Sequence, residues 1–414
     1  MGHTHAGHRR IRIPPRTQRL LLVALTPFVL GTLTGLVILW PSGTNPDLPS
    51  QGSRMTELKA SVSQVTSQPC PEVPGQENFS CSKVTVELAE GQDAGGSFDL
   101  DFSAGPKVRS IEEGDDIIVG QLDQPQDKAA EDSSAQYFFV DFDRRIPLLA
   151  LAVVFSLVVI ALSRWRGLAA LAGLAVSLLV LIRFVLPAIL QGGDPVWVAL
   201  VGGSMIMLLA LYLAHGLNAA TTTAVLGTLT SLLLTGLLAL FFVNISIFTG
   251  AGSEEAALLQ ISQQQVNLQG LLLASIIIGT LGVLDDVTVT QASAVWELQR
   301  ANPEYGISAL YNAAIRIGRD HIASTVNTLV LAYAGASLPL LILFSVSSRP
   351  LSQVLNTEMV AEEIVRTLVG SIGLVASVPI TTGLAAVIVT SGTTAGRTGS
   401  PRQKETRSRV EDRG

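Results

Sequence analysis

The chain has 414 residues, a formal net charge of −6 and 14% charged residues against 48% hydrophobic ones; soluble domains average about 25% charged. Between Ile146 and Ala274 the strong acids and bases are only Arg164, Arg166, Arg183, Asp194, Glu254 and Glu255. Six charges cannot cover the surface of a soluble domain that long, so a single soluble enzyme, a disordered chain and a nucleic-acid binder are all disfavoured. The composition instead predicts an α-helical polytopic membrane protein.

The chain opens on a basic tail, residues 1–19, with Arg9, Arg10, Arg12, Arg16 and Arg19. His3, His5 and His8 stand in it without the cysteine or carboxylate that would complete a metal site, so it reads as a polar tail and no metal is expected. A first apolar span follows at 20–40. It is too long for a signal-peptide core, and Trp40-Pro41 is a poor cleavage site, which makes it an uncleaved anchor.

Residues 41–145 carry 19 Asp and Glu against 8 Lys and Arg. The stretch 41–80 is rich in Pro, Ser and Gln and reads as a spacer. From 81 to 145 the pattern turns to period two. Val84, Val86 and Leu88 alternate with Thr85 and Glu87, and Phe98, Leu100 and Phe102 alternate with Asp99 and Asp101. Ile117-Ile118-Val119 and Tyr137-Phe138-Phe139-Val140 continue the series, with Gly91 and Gly95-Gly96 as punctuation. These runs predict a small extracytoplasmic all-β domain, a closed or half-closed barrel, between spans one and two. Cys70 and Cys81 are the only cysteines, and a disulfide between them suits an oxidising compartment.

Seven further spans are expected within 146–390: Ile146–Ser163, Gly167–Leu190, Val196–His215, Thr222–Val243, Leu268–Leu284, Ile322–Phe344 and Ile364–Thr390. The total of about eight places both tails, the turn Arg164-Trp165-Arg166 and the group Arg300, Arg316 and Arg319 on one side, the cytoplasm, by the excess of Lys and Arg there. The loop Asn244–Asn267 has no Lys or Arg. Arg144 and Arg145 oppose this orientation, but they end a long loop, where charge bias is weak. Residues 391–414 form a second basic, disordered tail. Arg183, inside the third span and four residues before Pro187, is either functional or snorkels outward.

Two polar stretches stand out. In the first, Asp285 and Asp286 end an apolar run. If helix continues, Asp286, Thr290, Ser293 and Glu297 fall on one stripe. In the second, Arg316 and Asp320 can pair four residues apart, Arg319 stands beside them, and Asn327 enters the bilayer. Arg316 or Arg319 is a natural partner for Asp285 or Asp286. One reading is a gate or a cation or proton site; the other is N-capping by Asp286 with interfacial salt bridges that pin helices. Intramembrane aspartyl proteolysis lacks its second aspartate-bearing helix, and no phosphate-binding Gly-x-x-x-x-Gly-Lys loop occurs. No cofactor and no enzymatic activity are expected. The Gly227–Gly236 run and Gly202-Gly203 suit close helix packing.

The chain resembles the YibE/F family of bacterial membrane proteins. The likeness runs from about Lys83 to Phe344. It is carried by Val140-Asp141-Phe142-Asp143-Arg144, by Leu211-Tyr212-Leu213-Ala214-His215-Gly216-Leu217-Asn218, by Ile277 through Val287, and by Ile317-Gly318-Arg319-Asp320 through Leu329. The family pattern has one Asp where this chain has Asp285-Asp286, and Asp286 is the aligned one. The resemblance implies a multi-pass cell-membrane protein with an extracytoplasmic module, and no substrate. A permease-like or channel-like role for a small solute or ion fits best. The rival is a non-transporting anchor or sensor whose β domain binds a partner or envelope component. The expected partner in either case is the lipid bilayer, without nucleic acid.

Overall fold

The computed structural model describes residues 14–42, 55–70, 79–91, 93–105, 108–122, 137–263, 265–346 and 349–397. His3, His5 and His8 and most of both basic tails lie outside them. The chain divides into two compact units, one of Asp47–Leu162 and one of Met1–Pro46 with Ser163–Gly414.

The first unit is built on five antiparallel strands: β1 (Met55–Gln68), β2 (Ser80–Leu88), β3 (Ser97–Ala104), β4 (Asp116–Leu122) and β5 (Tyr137–Phe142). Their order in the sheet is β3-β2-β1-β4-β5. One face of each strand supplies the core, with Leu58, Ala60, Val62, Val84, Val86, Leu100, Ile117 and Val119 buried. The edge strands β3 and β5 curl together through aromatic side chains rather than backbone pairing. Phe98 stacks on Tyr137 at 4.4 Å and Phe102 meets Phe139 edge-on at 5.1 Å. The result is a β half-barrel, as the period-two pattern predicts.

The central strand β1 corrects the sequence reading, which assigns 41–80 to a spacer. Its buried face offers only Leu58, Ala60 and Val62, and its other positions are largely Ser, Thr, Gln, Glu and Lys. A strand with so little apolar mass leaves a weak signal, yet it pairs on both sides, with β2 and β4. The register shift between Val62 and Gln64 is a bulge at Ser63, whose hydroxyl donates to the Thr85 carbonyl at 3.0 Å. Gln68 faces Cys81 in this register, so Cys70 falls beside it, and the two cysteines are joined with their Cα atoms 5.1 Å apart.

The helices are α1 (Pro15–Leu39), α2 (Arg145–Val180), a π-helical turn (Leu181–Val185), α3 (Leu186–Leu190), α4 (Pro195–His215), α5 (Ala219–Ile245), α6 (Glu254–Ser262), α7 (Leu268–Ala301), α8 (Ile307–Ala336), α9 (Leu338–Val346), α10 (Leu351–Leu355) and α11 (Glu358–Arg397). Among the described residues six helical segments are by length and composition long and apolar enough to cross a membrane, or seven if α8 and α9, bent by 64°, count as one. The sequence predicts eight. One difference is the bent α8–α9 pair, and the other lies at Arg164. Three residues are too few for a separate loop, so helix runs on either side of one non-helical residue (φ 51°, ψ −127°), and Arg145–Leu190 counts as a single segment. At Arg183 the π turn has a cause in the sequence. Pro187 has no N–H for the Arg183 carbonyl, and the Leu186 N–H bonds instead to Leu181, five residues back. Arg183 itself is exposed.

The helical unit has an apolar exterior and a partly polar interior. Leu20, Val37, Ile182, Leu237, Phe241 and Leu368 are exposed, while Thr223, Thr228, Ser231, Thr235, Thr288, Ser377, Thr381 and Thr382 have no accessible surface. Soluble domains do the reverse.

Tyr137 gives a test of the half-barrel. Its hydroxyl donates to Asp93 at 2.6 Å, and burial together with Asp93 pushes the phenol up to about 12. The unfolded phenol ionises near 10, so this contribution is intact below pH ~10 and is lost as pH rises through the folded value. Alkaline titration by phenolate absorbance of the full chain is expected to show a late-ionising tyrosine that is missing in Tyr137→Phe. Superimposable titrations apart from a uniform loss would refute it.

Candidate functional site

Helix α7 settles where the paired aspartates lie. It starts at Leu268, capped by the Asn267 side chain, and continues without a break to Ala301. Asp286 therefore stands mid-helix and caps nothing, which removes the N-capping reading. The buried side of α7 runs Leu284, Val287, Thr288, Gln291, Ala292, Val295, Trp296 and Gln299. By helical period, Asp286, Thr290, Ser293 and Glu297 fall on the other side, and all four are exposed. They form one stripe, as the spacing predicts.

The larger polar cluster expected from the sequence does not assemble. Arg316, Arg319, Asp320 and Asn327 are exposed on α8, whose buried residues are Leu310, Ala314, Gly318 and Leu329. Among the described residues no ion pair joins Arg316 or Arg319 to Asp285 or Asp286, nor Arg316 to Asp320. The reason is that α7 and α8 present apolar and small residues to their neighbours, which turns their charges outward. Glu297 pairs with Arg300 on its own helix at 2.5 Å. Asp285 is half-buried, and its Oδ1 is enclosed without a hydrogen-bond partner.

A different polar surface is built inside the bundle, on α11. Glu358, Glu362, Arg366, Gly370, Gly373, Ser377 and Thr381 follow at intervals of three or four residues, and so share one face. Near its start, Glu358 accepts hydrogen bonds from the backbone N–H groups of Thr249 at 2.6 Å and Gly250 at 2.8 Å, and from the Thr249 hydroxyl at 2.8 Å. Glu362 is 8% exposed, and its Oε1 has no partner. Arg366 pairs with Glu363 and donates to the Ser275 hydroxyl on α7 at 3.3 Å, while its Nε is enclosed and unpaired.

Further along, the stripe is a seam of glycines against hydroxyls. A side chain at Gly370 would meet Thr280 Cγ2 at 2.6 Å, one at Gly373 would run into the Thr235 hydroxyl, and one at Gly227 into that of Thr381. Thr228 and Thr288 share a 2.5 Å hydrogen bond between α5 and α7. Gln291 donates to the Ala314 carbonyl at 3.0 Å and to the Thr382 hydroxyl at 2.7 Å, joining α7, α8 and α11. Most other hydroxyls bond to a carbonyl three or four residues back, as Ser231, Thr235 and Ser377 do. Ser371 and Thr381 have buried oxygens without partners.

A cavity of about 450 Å³ opens beside this face, bordered by Ser246, Phe248, Asn356, Glu358, Ala361 and Val365. Among the described residues, no three His, Cys, Asp or Glu side chains converge as a metal site would require.

The sequence reading passes over Glu358, Glu362 and Arg366. The four-residue spacing through Thr381 was the signal available. It was hidden because the apolar window began at 364.

These features define a mostly helical protein with several apolar helices packed around a polar seam, joined to a small β half-barrel. The chain belongs to the YibE/F-like family, whose model matches residues 151–391. That match begins in α2, beyond the last strand, and runs through most of α11, whereas the likeness in the sequence runs from about Lys83 to Phe344. No curated protein and no solved structure matches the chain.

Gly373→Val is expected to lower stability by about 1–3 kcal/mol, as overpacked cores do. Thr235→Ala in the same chain is expected to restore part of the loss, because it removes the atom struck. Thermal unfolding of the two variants and their combination measures both; strictly additive losses would refute the seam.

Proposed function

We propose that this chain is a multi-pass cell-membrane protein that acts as a permease or channel for a small solute or ion. The observation that carries this is the face of α11 from Glu358 to Thr381. Charged side chains at its start and buried hydroxyls further along line one side of an apolar helix that packs on α5 and α7. Ionisable groups inside such helices are costly, and they are kept where a polar species must pass or bind. The unpaired atoms of Glu362, Arg366, Ser371 and Thr381 fit that use, since each has hydrogen-bonding capacity that no protein group fills.

The proposed topology has eight crossings, with the Arg164 break separating two and the bent α8–α9 pair making one. Both termini are then cytoplasmic and the half-barrel lies across the membrane. Arg144 and Arg145, which oppose this orientation, have carboxylates at hand in Asp141 at 2.8 Å and Asp143 at 3.6 Å. Fusions of a cytoplasm-dependent fluorescent reporter to each end are expected to fluoresce alike; opposite results would overturn the topology.

Vesicles reconstituted with the full chain are expected to pass at least one member of a panel of small ions and osmolytes faster than empty vesicles. Ser377→Leu, midway along the stripe, is expected to suppress that flux. Flux equal to empty vesicles for the whole panel, with a cellular phenotype lost wholly on deleting 55–142, would instead support a docking role for the β unit.

A further inference from the structure

Glu358 and Glu362 lie one helical turn apart on α11, with their carboxyl groups within hydrogen-bonding reach of each other. Their surroundings are unequal. Glu358 already accepts from two backbone N–H groups and one hydroxyl, all from Thr249 and Gly250. Those donors hold it as a carboxylate, which can only accept. Glu362 is more than nine-tenths buried, and its Oε1 lies against the Gly252 backbone short of a well-formed hydrogen bond. The nearest base on the same helix, Arg366, spends its two terminal nitrogens on Glu363 and on Ser275 of α7. Tyr333 of α8 is close enough to feel Arg366 and Glu363. Two facing carboxylates repel unless something positive lies between them. Among the described residues no third carboxylate converges with them to coordinate a metal ion, and the smallest occupant that satisfies both is a proton, carried by Glu362 and donated to Glu358.

We propose that Glu362 is a proton-binding site at the head of the α11 stripe, loaded from water through the cavity that Glu358 borders. The proton arrives from hydronium or water, forms the Glu362 O–H bond, and leaves by the reverse step. This deepens the transport reading and rests on it, with the proton as the coupled or conducted species.

The test is chemical and needs no flux. Dicyclohexylcarbodiimide adds to a protonated, apolar-shielded carboxyl and rearranges to a stable N-acylurea on that side chain. The purified full chain is treated across about pH 5 to 9, and the modified peptide is read by mass spectrometry. Above the midpoint, labelling of Glu362 is expected to fall about tenfold per pH unit, as the protonated fraction does. Sodium or potassium at constant pH is expected to leave it unchanged. Glu362→Gln removes the label, and Glu358→Gln, which supplies an amide donor in place of the acceptor, lowers labelling near neutrality. Absence of label at every pH, or labelling indifferent to pH, would overturn the proposal. Suppression by sodium or potassium would overturn it too, by making a metal ion the occupant. Labelling without vesicle flux would leave the proton site standing and count against the transport reading alone.

Discussion

Helices approach closely where one of them gives up side-chain volume, and in the helical unit the approaches that face hydroxyls follow α11. Gly227 of α5 yields to Thr381, and Gly370 and Gly373 of α11 yield to Thr280 and Thr235. The contact is polar as well as close. Threonine brings a methyl group for packing and a hydroxyl that most often bonds to its own helix, so a buried hydroxyl there carries little desolvation cost. Gln291 and the Thr228–Thr288 pair add bonds between helices. Helices α5, α7 and α11 are thereby fixed in register around a seam that is dense, hydrogen-bonded and lined with oxygen atoms.

That constraint explains why the charges lie where they do. A seam of small residues leaves no room for Asp286, Glu297, Arg316 or Asp320, which turn outward on α7 and α8. The start of α11 meets instead the segment before α6, where Thr249 and Gly250 cap the Glu358 carboxylate and Gly252 lies against Glu362. There the chain places Glu358, Glu362 and Arg366. Burial within the bundle and charge at its end are two results of the same packing.

Much of this was legible beforehand. Long apolar runs locate α1, α2, α4 and α5 and parts of α7, α8 and α11, because a 20-residue stretch without charge has few alternatives. Period-two alternation located β2, β3, β4 and β5. Strand β1 escaped because its inward face is built of Leu58, Ala60 and Val62 between polar neighbours, and its place at the centre of the sheet comes from pairing on both edges rather than from its own hydrophobicity. The extension of α7 past Asp285 was conditional in the sequence, since a carboxylate pair suits a helix start as well as an exposed face. What local pattern could not supply was which faces meet. The pairing of Arg316 or Arg319 with the aspartates was chemically sensible, but the partners sit on outward faces of two helices. The α11 stripe, spaced as regularly, lost its first turn to the edge of a hydropathy window.

One small feature of the cap ties distant parts of the chain together. Gly250 has a left-handed backbone (φ +79°) and lies directly against the Leu268 carbonyl, while its N–H is held by Glu358. Any side chain at 250 would be strained and would also strike the first turn of α7. Three positions spread over more than a hundred residues therefore share one tolerance. Natural drift at the loop, at the head of α7 or at the head of α11 has to be accommodated by the other two, so these sites should vary in concert or not at all.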